Sequence, residues 1–325
     1  MEAKERDHTY DIMKCIGIIA VIVGHLTDTG NRFIYSWHMP LFFIIAGYFY
    51  HEKDIFVMAR KDAKRLLIPY YLTCLAIILC FTFKSLRCDE DLVSSWIVAA
   101  LYANGSPNHS SEYLANIPAI GAIWFLWAMF WTKNIFNIIF KLYKKHLLLI
   151  CLLISIAAIC TDRYVINLPL AILPGISATL FYAIGYKARQ INNSAVTSKH
   201  LIYYVCGGGI SAWIISFLFY DMSMARCYFE NLPVNIIGAC GGTLCVKIIS
   251  GHLSKCKCKA TDLAEWIGRN SMVFLCIHAF DMCYSIRNHI DLSESGHILF
   301  VVFYCILGTY IISFIPFTRR IFGIR

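Results

Sequence analysis

The chain has 325 residues, of which 58% are hydrophobic and 15% charged, and its mean hydropathy is +0.61. A soluble globular domain carries about 25% charged residues, so this balance excludes one and predicts an integral membrane protein. The formal net charge of +9 would point to nucleic acid in a soluble chain. Here it reads as the basic loops of a membrane topology, with no nucleic-acid partner expected.

The first apolar run, about 12–28, follows a charged, polar N-terminus and keeps Asp11 and Lys14 at its base. It is expected to be retained as a span rather than cleaved as a signal peptide. It contains His25, which in a helix stands eleven residues beyond Lys14, about 16 Å along the axis. An ionisable group at that depth is expensive and marks a functional position by default. Asp28, three residues on, shares its helical face and could hold one ring nitrogen. The plainer reading is a packing histidine bonded to a carbonyl.

The second run, about 33–50, opens from the outer face with Trp37-His38-Met39-Pro40, which sets His38 at a depth like that of His25. Two imidazoles on one level suggest proton handling, although an interfacial histidine beside a tryptophan is common without chemistry. Arg60-Lys61-Asp62-Ala63-Lys64-Arg65 then precedes the run at about 66–83. These cations serve the positive-inside rule, and they also suit capture of a polyphosphate. With Lys14 on the same face they would form an anion funnel beneath His25.

The connection at about 84–116 carries Asp89, Glu90, Asp91 and Glu112. Its apolar stretch from Leu92 to Tyr102 is too short to cross and is expected to lie at the interface or re-enter. In the run at about 117–139, Trp124 and Trp127 read either as an aromatic belt or as a substrate-stacking wall. Runs follow at about 146–161, 166–186, 201–220, 232–250, 266–285 and 297–317. The ninth begins with Gly268-Arg269-Asn270-Ser271 and reaches His278 and Asp281, which repeat the spacing of His25 and Asp28; packing is the favoured role for His278 on this ground alone.

Ten spans place 23 of the 29 lysines and arginines on the side of the N-terminus, which makes both termini cytoplasmic. The expected fold is an all-α membrane protein of about ten transmembrane helices in one bundle, a single domain over 1–325. Most of the 15 cysteines lie in apolar runs and behave as small hydrophobes. Cys256-Lys257-Cys258 is too tightly spaced for a zinc knuckle and has no partner pair, so no metal is expected. Cys88 and Cys227 fall in loops on one side, and spacing does not decide whether they are bridged.

Taken in order, these motifs resemble the membrane-bound acyltransferase family 3, and within it the fucose 4-O-acetylase-like branch. The matching elements are Asp11-Ile12-Met13-Lys14 with Gly17 and His25, and His38-Met39-Pro40-Leu41-Phe42-Phe43 with Gly47-Tyr48. Arg65-Leu66-Leu67-Ile68-Pro69-Tyr70, Trp124-Phe125-Leu126 and Gly268-Arg269-Asn270-Ser271 leading to His278 complete the set. The resemblance implies transfer of an acyl group, usually acetyl, from cytoplasmic acyl-CoA to a carbohydrate hydroxyl across the bacterial cytoplasmic membrane. It implies His25 as the catalytic histidine, with Asp28, His38 and His278 around it. It sets the cofactor's phosphates on Lys14, Arg60, Lys61, Lys64, Arg65 and Arg269, and the acceptor near Trp124, Trp127 and Glu112. The chain departs from the family with Lys14 where arginine is usual and with Asp62 in the first place of a paired-arginine motif. The rival reading is a proton-coupled transporter or flippase of glycan precursors that uses the histidines as a relay. A further rival is a scaffold in a glycan-assembly complex. The acceptor, the acyl group, the oligomeric state and the choice between direct transfer and an acyl-histidine intermediate are not legible in the sequence.

Overall fold

The computed structural model describes residues 7–27, 30–88, 93–103, 105, 118–164, 168–193, 199–284 and 291–324. A backbone in hydrocarbon has no water to bond and must satisfy itself as helix, and each of the ten apolar runs holds helix. The first half of the chain forms α1 (Thr9–Leu26), α2 (Asn31–Tyr35), α3 (His38–Tyr48), α4 (Ile55–Asp62), α5 (Ile68–Cys88), α6 (Val93–Tyr102), α7 (Trp124–Tyr143) and α8 (Leu147–Tyr164). The second half forms α9 (Ile172–Ser177), α10 (Thr179–Asn193), α11 (Lys199–Phe219), α12 (Leu232–Leu253), α13 (Lys259–Arg269), α14 (Ser271–Tyr284), α15 (Glu294–Phe314) and α16 (Pro316–Phe322). Two short antiparallel strands, β1 (Met222–Ser223) and β2 (Tyr228–Phe229), pair Met222 with Phe229.

Among the described residues, five helical stretches are long and apolar enough to cross a membrane: Thr9–Leu26, Ile55–Leu86, Gly121–Arg163, Leu232–Leu253 and Glu294–Phe314. Val93–Tyr102, Gly207–Phe219 and Ser271–Tyr284 are apolar but shorter. This set is smaller than the ten runs for physical reasons. Gly121–Arg163 contains both α7 and α8, which pack against each other about a tight turn at Lys144–His146. Other runs are split: Trp37 separates α2 from α3, and Asn270 separates α13 from α14.

Helix α1 is the hub, packing against α3, α12, α13, α14 and α15. Its buried side chains Met13, Ile18, Val21 and Ile22 feed two core clusters that together take in α3, α5, α7, α12 and α14. Two close backbone approaches fix its surroundings. A Cβ at Gly268 would overlap the Asp11 carbonyl oxygen, which seats the end of α13 on the foot of α1. A Cβ at Gly47 would overlap the Tyr182 carbonyl oxygen, which seats α3 against α10.

The outward faces are apolar. On α5 the exposed Leu75, Leu79 and Phe83 follow one another at helical spacing, as do Leu299, Phe303, Leu307 and Phe314 on α15. Contiguous apolar stripes of this kind are rare on soluble monomers and belong against lipid. The short segment after α5 is α6, whose Trp96 stacks on Phe81 with centroids 4.4 Å apart.

Candidate active site

The upper end of α1, the start of α3 and the middle of α14 bring three histidines into one cluster. The rings of His25 and His278 stand 5.4 Å apart, edge to face at 61°. Tyr35 of α2 lies between the other two, 6.4 Å from His25 and 5.2 Å from His38. Its hydroxyl donates to the Gly24 carbonyl at 2.9 Å, which pins α2 to the top of α1. His38 and His278 are buried, and His25 is half-buried.

Two of these imidazoles are held by the same device. His25 Nδ1 lies 2.7 Å from the Val21 carbonyl and His38 Nδ1 lies 2.8 Å from the Ile34 carbonyl, each four residues back. A carbonyl only accepts, so Nδ1 carries the hydrogen in both rings, and a neutral ring then keeps its lone pair on Nε2. The partner of His25 Nδ1 is therefore backbone, the neighbouring carbonyl of the plainer sequence reading; Asp28, offered for one ring nitrogen, lies outside the described residues. His278 is fully buried with Asp281, also fully buried, three residues further along α14.

At the other end of α1, Lys14 Nζ donates to Asp11 Oδ1 at 3.2 Å. Helix α4 starts at Asp54, whose carboxylate accepts from the backbone nitrogens of Phe56 at 2.9 Å and Val57 at 3.2 Å. Those bonds, Val57's above all, hold the Asp54 pKa below its ordinary value. Helix α4 runs into a π-helical turn over Ala63–Leu67 before α5 begins. Such turns insert a residue and re-aim side chains, often at functional positions. Lys64 and Arg65 stand exposed on this turn, as do Arg60 and Lys61 just before it.

Asp62 points inward instead, only 3% exposed, and forms an ion pair with Lys133 of α7. Lys53, Lys61, Lys133 and Arg65 all act electrostatically on this neighbourhood. The nearby Lys61 ammonium, first of all, pulls the Lys53 pKa below the lysine range. Several cations around one carboxylate leave a net positive mouth. Asp62 thus serves as the anchor of the basic turn.

The other expected positions fall as follows. Arg269 is exposed at the end of α13, its Nε donating to the Glu265 carbonyl at 3.3 Å. Trp124 and Trp127 are buried rather than exposed as a belt. Trp127 stacks on Trp131 at 5.9 Å and meets the edges of Tyr70 and Tyr71 at 6.3 Å each. Its indole nitrogen is buried with no hydrogen-bond partner among the described residues. Glu112 lies outside the described residues. Cys227 is a free, buried thiol that donates to Ser177 Oγ at 3.9 Å.

Sequence reasoning missed Tyr35, Lys53 and Lys133. Lys133 could have been found, because a lysine inside the apolar run of α7 needs a partner as much as a buried histidine does. Tyr35 carried no comparable signal.

Over residues 7–315 the chain matches the family described as an acyltransferase domain. It is 27% identical over 259 residues to the nodulation protein NolL of Sinorhizobium fredii (strain NBRC 101917 / NGR234), an alignment covering 71% of this chain. The chain spans 61% of the length of that curated relative. No solved structure matches. A match from the foot of α1 to the end of α15, over a helical bundle with an apolar surface, shows that this chain belongs to the acyltransferase 3 family.

Proposed function

We propose that the protein moves an acyl group, expected to be acetyl, from cytoplasmic acyl-CoA to a hydroxyl of a surface or lipid-linked carbohydrate across the bacterial cytoplasmic membrane. The observation that carries this reading is the tautomer of His25: its Nδ1 bonds the Val21 carbonyl, so the lone pair of the neutral ring, its basic site, lies on Nε2. The basic turn of α4 and α5 supports the donor's identity, since clustered lysine and arginine suit the phosphates of CoA.

In the proposed step, His25 Nε2 takes the proton of the acceptor hydroxyl as its oxygen attacks the thioester carbonyl. The tetrahedral intermediate collapses with cleavage of the carbon–sulfur bond. The acyl group then sits on the acceptor oxygen, and the CoA sulfur leaves with the proton that His25 returns. Positioned general-base catalysis of this kind contributes about 10²–10⁴-fold. His278 packs edge-on against His25 and restrains its ring. The buried indole N–H of Trp127 is a donor suited to an oxygen of a bound substrate.

The direct test is CoA release from acetyl-CoA by the purified protein in detergent, with and without acceptor glycans. Acceptor-dependent thiol release supports the reading. Absence of release, together with proton-coupled uptake into vesicles without CoA, contradicts it and favours a transporter.

A further inference from the structure

Helix α16 lies wholly beyond residue 315, where the family match ends. It is fixed at both ends, by Pro316 at its first turn and by Gly323, whose φ of +63° closes the helix in the left-handed conformation. Phe322 packs on the main core and Ile324 is buried, so the helix is held against the body of the protein. It lies against both α5 and the π-helical turn. Its position is therefore beside Lys64 and Arg65.

The side chains of Arg319 and Arg320 are exposed, and with Ser313, Phe314, Pro316 and Ile324 they line a half-open cavity of about 390 Å³. Among the described residues, no carboxylate lies within ion-pair distance of Arg319, Arg320, Lys64 or Arg65. Two pairs of unneutralised cations on packed elements, with a cavity at one of them, form a place for a ligand carrying more than one phosphate. The volume falls in the range of about 300–1,000 Å³ typical of small-molecule clefts. Phe314 and Pro316 add apolar wall against which a purine ring can lie.

We propose that the cleft between α15 and α16 binds the nucleotide end of acyl-CoA, with Arg319 and Arg320 holding its 3′-phosphate and Lys64 and Arg65 its pyrophosphate. This rests on acyl-CoA being the donor. Arginine suits the terminal monoester because its planar fork binds phosphate through two parallel N–H donors. The same phosphate chemistry could come from an anionic lipid headgroup, so the experiment separates the two.

Equilibrium dissociation constants for CoA and for 3′-dephospho-CoA are measured with the full-length protein in zwitterionic detergent, for wild type and for R319Q/R320Q. The expected result is wild-type binding of CoA roughly 10- to 100-fold tighter than dephospho-CoA, the size of one or two charged hydrogen bonds. In the double variant the two compounds bind alike, with the constant for dephospho-CoA unchanged. That unchanged constant also shows the variant to be folded. A variant that retains the wild-type preference overturns the cleft while leaving the donor intact. A wild type that binds neither compound overturns the donor as well. In nanodiscs with and without phosphatidylglycerol, thermal stabilisation by that lipid in wild type alone, with no CoA preference, assigns the cleft to a headgroup and overturns the proposal.

Discussion

His25 and His278 meet edge to face, 5.4 Å between ring centroids, although one ends the first helix and the other stands in the middle of α14. Their contact joins the upper end of α1 to α14, and at the foot of α1 the preceding helix of the same segment, α13, is seated where Gly268 meets Asp11. The hub helix is therefore gripped at both ends by the same segment. This double grip sets the rotation of α1 and so the direction in which His25 Nε2 points.

The first prediction concerns that grip. His278→Leu keeps a bulky apolar group but removes the ring that restrains His25, and an active-site displacement on the ångström scale costs up to about 10²-fold. Turnover should fall by roughly 10- to 100-fold with KM for acyl-CoA little changed, as steady-state kinetics would show. Unchanged kcat would mean that the edge contact has no positioning role.

At the foot of the same helix, Gly268→Val has no room because its Cβ would meet the Asp11 carbonyl oxygen. Folded yield and thermal stability in detergent should both drop. Gly207→Ala, with nothing within 4 Å of its Cβ, is the matched control, and it should be neutral or stabilising by up to about 1 kcal/mol. Equal behaviour of the two variants would dismiss the close approach.

The Asp62–Lys133 pair predicts a different signature. Both side chains are largely buried, and removing one partner leaves an uncompensated charge, a loss of about 3–5 kcal/mol. Asp62→Asn should therefore destabilise strongly in denaturant unfolding, and Lys133→Met in the same chain should recover much of the loss. Failure of the second change to rescue would mean that Asp62 acts through something other than this pair.

For the basic turn, Lys64→Glu with Arg65→Glu should raise the KM for acyl-CoA and leave kcat at saturation near wild type, because both side chains are exposed and neither is among the ring contacts of the histidine cluster. A fall in protein abundance with unchanged KM would reduce the turn to a topology signal.

Much of this architecture could be read from residue patterns. The apolar runs fix where helices form, and the cost of burying an imidazole singles out His25 and His38 in the sequence. The depth argument also set those two on one level. What could not be read was the partner of each ring. The spacing offers Asp28 for one ring nitrogen of His25, and Asp28 lies outside the described residues; the carbonyl of Val21, four residues back, takes Nδ1. Backbone acceptors are present at every position and leave no mark in a sequence. The same holds for Asp62. Its inward turn depends on the π-helical geometry of Ala63–Leu67, which no side-chain pattern announces. The burial of Trp127 likewise depends on how α7 sits beside α5, where Tyr70 and Tyr71 meet its ring.

The central claim is that His25 Nε2 removes the acceptor proton. It is tested most directly by single-turnover acyl transfer from radiolabelled acetyl-CoA, comparing wild type with His25→Ala at equal amounts of folded protein. The account predicts a rate lower by about 10²–10⁴-fold with CoA binding retained. Transfer at close to the wild-type rate would contradict it.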